Sequence, residues 1–177
     1  IPRGEAGNED RARELFRSPI WLATNRGELT RAEAEQAYCA RHQLTAAESE
    51  ALFFHAMDHQ VPVEGTEALA LRLKQAGYRI FGLTDNVHEI VSHLKGRYRF
   101  WELFEGAVVS AEVGVLKPDP RIFGRLLNDF ELAASETVFL DDMPANVEGA
   151  RSVGMEALVF STSDACERDL TTLGLSF

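Results

Sequence analysis

In the sequence YRIFGLTDN at residues 78–86, a short apolar run ends in a hydroxyl group followed by a carboxyl group, a pattern typical of a strand that leads into a binding site. Two later stretches share this design. GVLKPDP at residues 114–120 carries a lysine into a tight turn, and VFLDDMPAN at residues 138–146 ends an apolar run in two adjacent carboxylates. Short apolar runs separated by helical patterns predict parallel strands joined by crossover helices. The polar groups are therefore expected at one edge of a sheet, where ligands bind in such folds.

Strands and helices alternate throughout the second part of the chain. Strands are expected at residues 78–83, 107–110, 137–140 and 157–160, and helices at residues 66–75, 87–95, 120–130, 145–153 and 164–173. We therefore predict an α/β fold in which a Rossmann-like parallel sheet carries helices on both faces.

The first part of the chain has a different character. Capping boxes that begin at Thr30 and Thr45 each open a predicted helix, and an earlier helix is expected at residues 9–17. Residues 1–60 are therefore interpreted as a small helical cap segment, and residues 61–177 as the α/β core.

Composition excludes several classes of partner. The 177 residues suit one core with a small addition, and the net charge of −10 argues against nucleic acid or an anionic membrane as a partner. Cys39 and Cys166 lie far apart without metal-type spacing, which indicates reduced thiols and a cytoplasmic protein. No apolar run approaches the roughly 20 residues of a membrane span. The oligomeric state stays open, with a homodimer among the alternatives.

The three stretches together bring a hydroxyl, an ammonium and a carboxylate pair to the strand ends, which suits a phosphate and a divalent cation. Taken singly, Thr84 has the alternative role of capping the next helix. The Asp141–Asp142 pair has the same alternative, but adjacent carboxylates are costly without a cation, which favours a metal. His55 and His59 have the i, i+4 spacing of a helical metal pair without a third ligand nearby, so their role is left open.

In order and spacing, these stretches resemble the haloacid dehalogenase-like (HAD) hydrolase superfamily, in its type with a small helical cap. Residues 78–86 resemble the second motif of that family, residues 117–123 its third and residues 139–155 its fourth. The resemblance implies a Mg²⁺-dependent phosphohydrolase that acts on a small phosphorylated metabolite through an aspartyl-phosphate.

The resemblance also implies a role for each matching residue. Thr84 donates its hydroxyl to the transferring phosphoryl group, and Asp85 and Asn86 lie beside the substrate. Lys117 neutralises the phosphoryl group and holds the nucleophilic carboxylate. The remaining roles concern the metal: Asp142 binds Mg²⁺, Asp141 is a ligand or a supporting partner, and Asn146 supports the pair.

The first motif of the family, an apolar strand that ends in Asp-x-Asp, has no match in this chain. Asp10 and Asp58 lie in polar or helical surroundings and are not promoted to nucleophile. In the family this strand lies in the middle of the sheet, between the strands of the second and fourth motifs. We therefore expect a core that is incomplete at its N-terminal side, with a gap at the sheet centre and a nucleophile upstream of this chain.

Two other functions remain open at this level. One is a metal-free 2-haloacid dehalogenase, which shares the lysine and the hydroxyl but has no use for paired carboxylates at a metal site. The other is a catalytically inactive HAD-like binding protein. Without the first motif, this chain alone is expected to be inactive.

Overall fold

The computed structural model describes residues 6–177, so the first five residues of the predicted cap segment lie outside the described residues. The helices are α1 (Ala6–Phe16), α2 (Pro19–Asn25), α3 (Arg31–His42), α4 (Ala46–Asp58), α5 (Thr66–Gln75), α6 (His88–Arg97), α7 (Ser110–Val113), α8 (Pro120–Asp129), α9 (Pro144–Arg151) and α10 (Ser163–Thr172). The strands are β1 (Phe81–Thr84), β2 (Gly106–Val109), β3 (Val138–Asp141) and β4 (Glu156–Val159). No helix in this part of the chain is both long enough and apolar enough to cross a membrane.

The first four helices pack around their own apolar cluster. Both capping boxes are confirmed. The Thr30 and Thr45 hydroxyl groups accept hydrogen bonds from the amides three residues later, and the glutamate carboxylates at those positions accept from the threonine amides. Helix α2 was not predicted, although Ser18 caps it by accepting from the Trp21 amide. Tyr38 lies at the centre of this cluster and donates to the Leu15 carbonyl at 2.9 Å. The helical character predicted for residues 9–60 is therefore confirmed.

The four strands form two separate parallel pairs. β1 pairs with β2, with Phe81 opposite Gly106, and β3 pairs with β4, with Val138 opposite Glu156. A shared apolar cluster joins the two pairs, and Val108, Phe123 and Phe139 belong to it. The parallel α/β architecture is as predicted. Within residues 6–177, however, no ladder of hydrogen bonds connects β1 to β3.

The backbone directions show which edges of the two pairs are open. In a sheet, the N–H and C=O groups of a residue in a parallel pairing point to one side, and successive residues alternate. The Thr137 and Asp141 carbonyls accept from the amides of Glu156 and Phe160, so Val138 and Leu140 direct their backbone groups away from β4. These open groups lie on the side of β3 away from β4, which agrees with the gap expected at the sheet centre.

One strand boundary differs from the prediction in an informative way. The strand predicted at residues 107–110 ends at Val109, and Ser110 begins the short helix α7. The Ser110 hydroxyl is fully buried, accepts from the Asn86 amide at 3.0 Å and donates to the Asn25 carbonyl at 2.6 Å. Ser110 therefore ties helix α2 to the loop after β1.

Candidate functional site

Lys117 links the two strand pairs. Its Nζ atom donates to the Leu83 carbonyl at 3.2 Å, in β1, and to Asp141 Oδ2 at 2.7 Å, at the end of β3. The Lys117 and Asp141 side chains are only 11% and 7% exposed, so their ion pair is shielded from water. Such a pair is favourable only when further hydrogen bonds satisfy the remaining polar atoms.

Asp141 meets that condition through its second oxygen. Asp141 Oδ1 accepts from the Met143 amide at 2.9 Å and from Asn146 Nδ2 at 2.9 Å. Lys117 therefore provides a countercharge for Asp141, and the metal predicted for the carboxylate pair stays a prediction. Asn146 orients Asp141 through this hydrogen bond, and its predicted role in supporting a metal-binding pair stays a prediction.

Asp142 has a different environment from its neighbour. It is exposed, and it lines an open cavity of about 500 Å³ beside the segment that follows helix α4. His59, Gln60, Tyr98 and Phe100 are also in its wall. The two adjacent carboxylates thus differ in their surroundings. Asp141 accepts hydrogen bonds from three donors, whereas Asp142 is exposed and lines the cavity.

Asp85 lies in the loop after β1 and contacts the turn that carries Lys117. Its Oδ1 atom accepts from the Lys117 amide at 3.0 Å, which holds that turn against β1. Burial raises the pKa of the Asp85 carboxyl above its ordinary value, and this effect outweighs the hydrogen bond and the charge of Lys117, which lower it. Nearby Asp141 raises the same pKa further.

Thr84 and Asn86 lie on either side of Asp85 and have different surroundings. Thr84 ends β1, and helix α6 begins after Val87 without any side-chain cap, so the alternative that Thr84 caps this helix is wrong. Asn86 is buried, and its Nδ2 donates to Gln60 Oε1 at 2.8 Å in the linker that follows the cap. Asn86 therefore joins the loop after β1 to the segment after α4, and its predicted contact with substrate stays a prediction.

Two residues of this joint, Asn25 and Gln60, were missed by the sequence analysis. Asn25 Oδ1 is buried and has no hydrogen-bond partner among the described residues. Neither residue belongs to a recognisable motif, and their partners lie far away in the sequence. Only the three-dimensional packing reveals them.

The described residues contain no cluster of three or more histidine, cysteine or acidic side chains that could hold a metal. The rings of His55 and His59 lie 5.1 Å apart on the cap, and the described residues supply no third ligand for such a pair. A Mg²⁺ site usually needs only one or two protein carboxylates, because the ion keeps waters and takes substrate oxygens. The open Asp142 carboxylate fits that requirement, with Asp141 beside it.

Comparison with known proteins gives consistent results. The sequence profile of the haloacid dehalogenase-like hydrolase family matches residues 4–154. The drimenol cyclase drtB of Aspergillus calidoustus is 30% identical over 90% of this chain, which spans only 31% of that protein. The sesquiterpene phosphatase astK of Aspergillus oryzae is 27% identical over 90% of this chain and 81% of its own length.

Among solved structures, a HAD family enzyme from Bacteroides thetaiotaomicron in complex with magnesium and inorganic phosphate is similar in fold. The TM-score is 0.71, with 21% sequence identity, and the match covers 88% of this chain and 80% of that one.

Proposed function

The chain belongs to the haloacid dehalogenase-like hydrolases, and from this premise we propose that it carries most of a Mg²⁺-dependent phosphohydrolase for a small phosphorylated metabolite. The observation that carries the proposal is the position of Lys117. Its ammonium group donates to the carboxylate of Asp141 and to the carbonyl of Leu83, the residue that precedes Thr84 in β1. A cation thus lies beside the ends of β1 and β3, the strands that Thr84 and Asp141 close, and Asp142 follows Asp141 directly.

Each of these groups has a task in phosphoryl transfer. Negative charge spreads over the equatorial oxygens of the phosphoryl group in the transition state, so positioned donors and cations accelerate the reaction. Thr84 donates its hydroxyl to one oxygen, and the Lys117 ammonium neutralises another. Because Asp141 holds the ammonium at 2.7 Å, the lysine needs little reorganisation when the substrate binds.

The nucleophile in this proposal is an aspartate of a strand that lies upstream of residue 1. The open backbone groups of Val138 and Leu140 suit a parallel neighbour, and a strand between β1 and β3 would pair with them. An aspartate at its carboxyl end would lie beside Lys117, because the neighbouring strands β1 and β3 both end there. It would attack phosphorus, form an aspartyl-phosphate and release the alcohol, and water would then release phosphate.

Asp142 is the residue proposed to hold Mg²⁺, with Asp141 as its neighbour. The ion supplies additional positive charge to the phosphoryl oxygens. The similarity to a sesquiterpene phosphatase and to a fold neighbour that binds magnesium and phosphate supports this reading.

The test uses the intact protein with its natural upstream sequence. We expect phosphate release from a panel of phosphomonoesters, abolished by a chelator and restored by Mg²⁺. Asp142→Asn should raise the Mg²⁺ concentration needed for half-maximal activity, whereas Glu148→Gln, a matched exposed carboxylate on α9, should leave it unchanged.

Two outcomes would contradict the proposal. Halide release from 2-haloacids that is unaffected by the chelator would identify a dehalogenase. Binding of phosphate without turnover, in a natural protein that lacks an upstream aspartate, would identify an inactive binding protein.

A further inference from the structure

A second cavity lies where the cap meets the core, with a volume of about 150 Å³. Most of its wall is apolar, formed by Leu29, Phe53, Met57, Val87, Ile90 and Ala111. Val87 follows Thr84 by three residues, so the Cα atoms of these two residues lie at most about 11 Å apart. One wall of the cavity is therefore formed by the segment that directly follows the hydroxyl proposed to bind phosphate.

The hydroxyl groups in the wall are already engaged. Thr24 Oγ1 donates to the Ile20 carbonyl at 2.7 Å, inside helix α2. Thr30 Oγ1 donates to Glu33 at 2.7 Å as part of its capping box. The hydroxyl groups of a sugar or another polyol would find few hydrogen-bond partners in this cavity, and a buried polar group without a partner is costly.

The charged groups in the wall do not favour a second anion. The Arg31 guanidinium donates to Glu35 at 2.7 Å, and the His88 ring lies 3.1 Å from a carboxylate oxygen of Glu112. Glu89, which also lines the wall, is acidic. A substrate with a second phosphate or a carboxylate at this end would meet the Glu89 carboxylate and an arginine that already has an acidic partner.

We propose that this cavity binds the hydrocarbon part of the substrate, so that the substrate is the monophosphate ester of a small apolar alcohol. The inference rests on the proposed function for the phosphate end and adds the class of the leaving group. A cavity of 150 Å³ with apolar walls holds about one benzene-sized molecule. The group that fills it therefore has about six carbon atoms.

The first experiment measures phosphate release by the intact protein from n-alkyl phosphates of increasing chain length. Each methylene that enters the cavity is expected to raise kcat/KM about fourfold until the cavity is full. Glucose 6-phosphate should be a poorer substrate than hexyl phosphate. Equal kcat/KM values along the series, or a preference for the sugar phosphate, would overturn the inference while the phosphatase proposal stands.

Variants of Met57 test the location. Met57→Trp fills the cavity and should lower the ratio of kcat/KM for hexyl phosphate to that for ethyl phosphate at least tenfold. Met57→Ala enlarges the cavity and should move the preferred chain to greater length, which keeps the test decisive if the tryptophan variant misfolds. Leu71→Trp, on the exposed side of helix α5, is the matched control and should change neither value.

A binding measurement separates the two proposals. In the intact protein with ¹³C-labelled methionine methyl groups, 1-hexanol is expected to shift the Met57 resonance, which the Met57→Leu variant identifies. Glucose should not shift it. If no ester is hydrolysed, the proposed function fails, yet a hexanol shift at Met57 still supports the hydrocarbon site. Absence of the shift overturns that site whatever the activity.

Discussion

Replacement of Lys117 by methionine is expected to lower the free energy of unfolding by about 3 kcal/mol. Methionine keeps most of the side-chain volume, so the loss is mainly electrostatic. Removing one partner of a buried ion pair typically costs about 3–5 kcal/mol, because the other charge stays buried without compensation. The lower end applies here, since Asp141 keeps its hydrogen bonds from the Met143 amide and from Asn146.

A double-mutant cycle tests this reasoning. Asp141→Asn in the Lys117→Met background removes the uncompensated charge and should recover about half of the lost stability. Urea unfolding of the intact protein at pH 7, followed by circular dichroism, gives the four free energies. Arg121→Met is the control, because the Arg121–Asp119 ion pair has the same 2.7 Å separation but an arginine that is 75% exposed. Equal stability of the Lys117 and Arg121 variants would refute the argument.

Three further predictions concern neighbouring features. Burial raises the pKa of Asp85, so its charged form destabilises the folded state at neutral pH and the destabilisation disappears as the pH falls through that pKa. Asp85→Asn should therefore be more stable than the wild type at pH 7 in urea unfolding, by a margin that shrinks toward pH 4; a constant margin would contradict this. Ser110→Ala should lose about 1–3 kcal/mol in the same assay, because two buried backbone groups lose their partner; Thr172→Ala, an exposed hydroxyl, is the control. Gly27→Ala should lower the urea midpoint, because φ is +70° and a Cβ atom would lie 2.2 Å from the Ala111 carbonyl oxygen, whereas Gly124→Ala, in an open helical position, should raise it.

The strands and their polar ends were predictable from the sequence because both depend on local patterns. The apolar runs in the sequence end at a hydroxyl or carboxyl residue, and the strands end at those same residues: β1 at Thr84 and β3 at Asp141. The two capping boxes were equally clear, since their hydrogen bonds span only three residues.

The partners of these residues were not predictable, because they depend on packing between distant segments. The resemblance assigned Lys117 to the phosphoryl group and the nucleophile, and the paired carboxylates favoured a metal; the ion pair between Lys117 and Asp141 is evident only from the structure. The resemblance placed Asn86 beside the substrate. Its hydrogen bond to Gln60, which lies 26 residues away and carries no motif, is evident only from the structure.

The division of the sheet into two pairs has a consequence for the order of folding. Each pair joins strands that are consecutive in the chain, with only one crossover between them, so its contacts are local. Local contacts form quickly because little loop entropy is lost. The contact of Lys117 with Leu83 and Asp141 instead joins the two pairs. We therefore expect the pairs to form early and independently, with the Lys117 contact completed late, so that slow association of two finished halves sets the folding rate.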